Sequence, residues 1–232
     1  MNTASSREPA GQHEEVGRRL PAAVLWDMDG TLVDTEPYWM ATETEIAETH
    51  GGTWTHEDAM ALVGNELIVS GEYIRNRVGM QQSAAEIVEM LLDGVVAQVR
   101  HAVPWRPGAR EMLLALHAAG VPCALVTMSY QRLVAPILEH LPPETFRVIV
   151  TGDQVEKGKP HPEPYLTAAA ALGLDPADCV AVEDSPTGVR SAEAAGCRVL
   201  VVPNHVPVPA APGRHFRDTL EDLTPADLGA LG

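Results

Sequence analysis

The sequence predicts an α/β protein: a parallel sheet with helices on both faces, interrupted by an all-helical unit inserted after the first strand. Three observations predict it. Short apolar runs alternate with helical patterns after Pro104, Pro107 and Gly108. Between Pro37 and Val103 helical spacing continues without a convincing strand. The first apolar run, Ala22 to Trp26, stops at two carboxylates, Asp27 and Asp29, followed by the Gly30-Thr31 turn signal.

The elements follow in order. Residues 1–20 are polar, without apolar periodicity, and read as a disordered tail. The core resides in 21–36 and 104–232, and the helical unit in 37–103. Within that unit Tyr38, Trp39, Ile46 and Ala47 share helical spacing up to Gly51-Gly52. Helices are then expected over His56–Val63, ending near Gly64, over Ile68–Val78 and over Ala84–Val99. Alternation resumes with helix Glu111–Ala119, strand Cys123–Val126, and helix Arg132–His140 with Pro136 inside it. Strand Phe146–Val150, helix Pro162–Leu172, strand Val180–Val182, helix Pro186–Ala195 and strand Arg198–Val202 complete the pattern. Residues 204–214 read as a Pro-rich loop, and Leu220–Leu228 as a last short turn.

Composition narrows the function. At 232 residues the chain can bury a sizeable core. A net charge of −16 disfavours nucleic acid and anionic membranes as partners. No apolar run reaches transmembrane length, and the polar N-terminus has no signal-peptide pattern. Cys123, Cys179 and Cys197 are odd in number, widely spaced and set in apolar segments, so reduced buried thiols in a cytoplasmic protein are expected. Of the 16 basic residues only Lys157 and Lys159 are lysines, and they are two apart. Lysine is a compact point charge with rotatable donors, not interchangeable with arginine at a phosphate or carboxylate.

Most of the expected strands end in polar groups: Asp27 and Asp29, Thr127 and Ser129, Thr151 and Asp153, Glu183 and Asp184. Parallel strands place their carboxyl ends along one edge of the sheet, where ligands bind in open α/β folds. Paired carboxylates ionise together cheaply only with a cation between them. Glu183-Asp184 adds to the first pair, and such hard oxygen ligands point to Mg²⁺. Lys159, in Gly-Lys-Pro-His-Pro, leans over the same edge from the start of a helix, and with the Thr127 hydroxyl it would hold a substrate anion. Asp34 reads as turn support and His161 as an exposed loop residue. Arg75 and Arg77 point apart on their helix and, with Arg100, read as solvated cations. Glu36 and Asn65 are minor candidates for substrate contact.

The order and spacing of Asp-Met-Asp-Gly-Thr from Asp27, strand-terminal Thr127, Lys159 in Lys-Pro-His-Pro and Glu-Asp-Ser from Glu183 resemble the haloacid dehalogenase-like superfamily. That match covers about residues 22–203, and the Glu-Asp-Ser and Lys-Pro-x-Pro forms resemble the superfamily's β-phosphoglucomutase-like phosphatase branch. The resemblance implies a Rossmann-like core with an inserted all-helical cap, and a Mg²⁺-dependent phosphatase acting on a sugar phosphate or a phosphoglycolate-like acid. It implies Asp27 as nucleophile forming an aspartyl-phosphate, and Asp29 as general acid and then base. Mg²⁺ would sit on the Asp27 carboxylate, the Asp29 carbonyl and Asp184, with Glu183 in or near the surrounding shell. Thr127 and Lys159 would stabilise the phosphoryl oxygens. A phosphosugar mutase is the alternative, weakened because no lysine precedes Lys157 to serve a second phosphate. An inactive binding module on the same fold is the other, weakened because Asp27, Asp29 and Lys159 are all present.

Overall fold

The computed structural model describes residues 20–63 and 65–231. The expected tail lies, Leu20 apart, outside the described residues, as does Gly64. The strands among the described residues are β1 (Ala23–Trp26), β2 (Cys123–Val126), β3 (Val148–Val150), β4 (Cys179–Glu183), β5 (Arg198–Val201) and β6 (Arg214–Phe216). They form one sheet in the order β3-β2-β1-β4-β5-β6, with every neighbouring pair parallel. β1 lies inside the sheet, and all four of its residues are fully buried. Trp26 pairs with Val182, so Asp27 and Glu183 emerge side by side one residue further on.

The period-two alternation of strands divides the core into two layers. Val24, Trp26, Val180 and Val182 face one apolar cluster with α5 (Ala109–Ala118) and α6 (Gln131–Leu138). Ala23, Leu25, Cys179 and Ala181 face the other with α7 (Glu163–Leu172) and α8 (Pro186–Ala195). Ser185 caps α8 by accepting the Gly188 N–H at 3.0 Å, with Pro186 at the first helical position. The three cysteines are buried free thiols, and burial pushes Cys123 and Cys197 up to about 12 and Cys179 up to about 11.

The inserted segment holds α1 (Glu36–Thr49), α2 (His56–Met60), α3 (Leu67–Val78) and α4 (Ala84–His101). Its own core is small: Ile46, Leu62, Ile74, Met80, Ile87 and Leu91. Capping boxes start α2 at Thr55 with Asp58 and α4 at Ser83 with Glu86. α4 carries two apolar stripes at helical spacing. Ile87 and Leu91 face the inserted unit, whereas Val88, Leu92, Val95 and Val99 join the sheet's cluster beside Leu133 and Val134 of α6. The insertion is therefore continuous with the core, chiefly through α4, with Tyr38 and Trp39 of α1 and Leu67 of α3 packed against the same cluster.

Most element ends fall within about two residues of expectation, and the larger differences are three. α2 ends at Met60 rather than Val63. β6 is not expected from the sequence and starts at the last residue of the 204–214 loop, because Arg214 and Phe216 flank a histidine with no apolar run to signal a strand. It is tied to α8 by Arg214 on Glu193, at 2.6 and 2.8 Å. The last helix, α9, is confined to Pro225–Gly229. Among the described residues no helix is long and apolar enough to cross a membrane.

Candidate active site

The edge of the sheet at the ends of β1, β2 and β4 gathers the residues that the sequence singles out. Asp27, immediately after β1, is 7 % exposed. Its Oδ1 accepts a hydrogen bond from Lys159 Nζ at 2.6 Å, while its Oδ2 is buried with no partner. Lys159 Nζ also donates to Glu183 Oε1 at 2.7 Å and to the Val126 carbonyl at 2.9 Å, which accounts for all three ammonium donors. Burial alone would depress this lysine, but the Asp27 and Glu183 carboxylates outweigh it and hold it above its ordinary value.

Asp29 is held from both sides of the site. Thr35 Oγ1 donates to its Oδ1 at 2.6 Å, and Ser129 Oγ to its Oδ2 at 2.6 Å, with Thr127 Oγ1 at 3.4 Å. Thr127 in turn accepts the Ser129 N–H at 3.0 Å. Thr35 opens α1, so the Asp29 carboxyl is tied both to β2's end and to the point where the inserted unit begins.

The loop after β1 turns back on itself: the Thr31, Leu32 and Val33 N–H groups donate to the Met28 carbonyl at 3.2, 2.9 and 3.1 Å. Gly30 makes this possible, with φ of +87° and a bare α-carbon facing Asp184. A β-carbon there would come within 2.1 Å of Asp184 Oδ2.

Asp27, Glu183 and Asp184 bring one carboxylate oxygen each within 4.8 Å of the others. Burial, then repulsion from Glu183, raises Asp27 to about 7 even against Lys159. Burial, then Asp27 and Glu183, raises Asp184 to about 9. Three carboxylates against one ammonium leave two negative charges, matched by one divalent cation. The all-oxygen donor set, the orphaned Asp27 Oδ2 and the raised pKa values fit a hard divalent ion.

Other sequence candidates lie away from this cluster or serve the scaffold. Asp153 accepts the Gln131 N–H at the start of α6, at 3.4 Å. Arg77 grips Asp58 at 2.7 and 3.0 Å and holds that carboxyl well below the usual range. His161 is exposed and accepts the Glu163 N–H at 3.2 Å. The exposed Asn65 side chain donates to the Ala61 carbonyl at 2.9 Å. Asp34, at the entrance to the insertion, pairs with His205 at 2.8 Å. Glu36, the first residue of α1, is shifted up by burial, with His205 opposing and Asp29 adding to the shift.

Three residues were not legible as site residues, Thr35 beside Asp29 being the first. Tyr165, fully buried on α7, donates its hydroxyl to Glu183 Oε1 at 2.7 Å. In sequence it reads as one more core position, although a polar-tipped ring amid alanines, Glu-Pro-Tyr-Leu-Thr-Ala-Ala-Ala-Ala, is a usable signal. Gly188 lies against Glu183, where a β-carbon would come within 1.8 Å of Oε1.

Comparison with known proteins agrees with this fold. The family model for haloacid dehalogenase-like hydrolases matches residues 24–202. Hexitol phosphatase A of Escherichia coli is 37 % identical over 182 residues, covering 77 % of this chain and 81 % of that protein. Phosphoglycolate phosphatase of Salmonella typhi is 33 % identical over 196 residues, covering 75 % and 78 %. The crystal structure of CbbY from Rhodobacter sphaeroides in complex with phosphate superposes with a TM-score of 0.74 at 28 % identity, covering 88 % of this chain and 96 % of that one. With its parallel sheet, its helical insertion after the first strand and its strand-end carboxylates, the chain belongs to the haloacid dehalogenase-like hydrolase family, as a phosphoric monoester hydrolase.

Proposed function

We propose that this protein is a Mg²⁺-dependent phosphatase of a small phosphorylated metabolite, working through an aspartyl-phosphate on Asp27. The observation that carries the reading is the Asp27 carboxyl: buried, on Lys159 through one oxygen, with the other oxygen unpartnered. In the first step an Asp27 oxygen bonds to phosphorus as the ester P–O bond breaks, and the departing alkoxide takes a proton from Asp29. In the second, Asp29 takes a proton from water, whose oxygen bonds to the same phosphorus and releases inorganic phosphate and the Asp27 carboxylate. The hydroxyls of Thr35 and Ser129 fix the Asp29 carboxyl for both transfers. Lys159 and Thr127 stabilise charge on the phosphoryl oxygens. Mg²⁺ would be held by Asp27, Asp184 and the Asp29 carbonyl, with Glu183 nearby, and supplies charge neutralisation when bound.

The proposed division is a catalytic core of residues 21–36 and 104–232 under a cap of 37–103 that selects the substrate. Similarity to hexitol phosphatase A favours a sugar or sugar-alcohol phosphate, with a phosphoglycolate-like acid second. Arg77 is engaged by Asp58, and no lysine lies in the inserted unit to serve a second phosphate, which favours a monophosphate substrate over mutase chemistry. The buried free thiols suit a cytoplasmic enzyme.

The test is phosphate release from hexitol phosphates, hexose phosphates and phosphoglycolate, with Mg²⁺ and with EDTA. Release is expected to need the metal and to fall by on the order of 10⁴ or more in Asp27→Asn. Metal-independent turnover, or turnover surviving that substitution, overturns the mechanism.

A further inference from the structure

The buried side of Lys159 is where the structure goes beyond this chemistry. Of the three ammonium donors, one meets the nucleophile Asp27, and the others are anchored on Glu183 Oε1 and the Val126 carbonyl. Tyr165 touches this anchor in two ways. Its hydroxyl donates at 2.7 Å to Glu183 Oε1, the atom that also receives Lys159 at 2.7 Å. Its ring centroid lies 5.1 Å from Lys159 Nζ, within cation–π range. Glu183 Oε2 is occupied by Ser185, through Oγ at 3.2 Å and N–H at 3.4 Å. Both oxygens of Glu183 are thus held by protein donors.

We infer that Tyr165 is a positioning residue for phosphoryl transfer, acting through the Glu183–Lys159 pair. The side chain is fully buried and does not reach the substrate. By sharing Oε1, the phenol takes up part of the charge that would otherwise draw Lys159 wholly onto Glu183. The ring seats the ammonium from the side. Together they keep the third N–H facing Asp27, the side on which a phosphoryl oxygen develops charge in the transition state. The inference rests on the reading of Lys159 as a phosphoryl-stabilising group.

The experiment measures hydrolysis of p-nitrophenyl phosphate and its inhibition by orthovanadate, a mimic of the five-coordinate transition state. It compares wild type, Tyr165→Phe, Lys159→Met and the double variant. Tyr165→Phe keeps the ring and its packing and removes only the hydroxyl. It is expected to lower kcat by about tenfold, with KM within about twofold, and to weaken vanadate inhibition by the same factor. Lys159→Met is expected to lose on the order of 10²–10³ in kcat/KM. In that background Tyr165→Phe should cost nothing more, because its effect passes through the lysine. Unchanged kcat and vanadate inhibition in Tyr165→Phe overturns the inference, and so does a full tenfold loss repeated in the Lys159→Met background. Wild-type activity in Lys159→Met overturns the underlying reading of Lys159 instead. If the double variant does not fold, the vanadate comparison on Tyr165→Phe alone decides.

Discussion

Two cations in this protein each bridge two carboxylates, in opposite surroundings. Lys159 joins Asp27 and Glu183 at the sheet edge, with side-chain exposures of 5, 11 and 0 %. Arg132 on α6 joins Glu89 and Asp93 on α4, with exposures of 43, 63 and 67 %. The buried group acts in a low dielectric, where removing one charge leaves the others uncompensated. The exposed group is screened by water and salt, and lies over an apolar seam, Val88 and Leu92 against Leu133 and Val134, that holds α4 to α6 without it. The same charge pattern therefore sets geometry in one place and only decorates packing in the other.

Among substitutions that leave the charges of both groups in place or touch only one exposed partner, the largest effect is expected from breaking the buried group sterically. In Gly188→Ala the new β-carbon would lie 1.8 Å from Glu183 Oε1 and force that carboxylate off Lys159 and Tyr165. Overpacking of this kind should cost about 1–3 kcal/mol in a urea titration. Because it displaces the anchor of Lys159, kcat/KM should also fall by about tenfold or more. Wild-type activity in a folded Gly188→Ala would show that Glu183 tolerates a second position, and that burial does not fix the site as argued here.

The contrast also explains what was legible in the sequence. Asp27, Asp29, Thr127, Glu183 and Asp184 were readable because strand ends in a parallel sheet converge wherever the intervening helices lie. Lys159 was readable because the chain has so few lysines. Tyr165 was not, because its role depends on α7 packing against β1, β2 and β3 with its phenol reaching Glu183 of β4, a tertiary placement that periodicity does not encode. β6 was hidden for a different reason: a three-residue edge strand has too few apolar positions to alternate. The double stripe of α4 was visible as one broad apolar face, but which neighbours share it is settled only by packing.

Glu43 supplies the intermediate case, a buried carboxylate with no ion-pair partner among the described residues. It is 4 % exposed on α1, and Trp54 Nε1 donates to its Oε2 at 3.3 Å. Burial raises it from 4.5 to about 8, with the Trp54 hydrogen bond opposing and Glu36 adding to the shift. The folded carboxyl keeps a proton that the unfolded chain releases, so its contribution to stability declines as pH rises from about 4.5 to about 8. Glu43→Gln keeps an acceptor for Trp54 and removes the titration. The two proteins should be equally stable at pH 4 to 5, and the variant more stable by about 1–2 kcal/mol at pH 9. Equal pH dependence in both, measured by thermal unfolding across that range, would mean that Glu43 ionises freely.

The smallest effect is expected at the exposed group. Arg132→Gln removes both contacts between α6 and α4, yet the apolar seam beneath remains. Stability should fall by less than about 1 kcal/mol at low salt, and the difference should shrink further in 0.5 M NaCl, since exposed pairs are weak and screened. Activity against the preferred substrate should stay within about twofold of wild type. A loss well beyond this, insensitive to salt, would contradict the comparison. It would mean that α4 depends on Arg132 for its place on α6, and that the pair governs the cap's position despite its exposure to water.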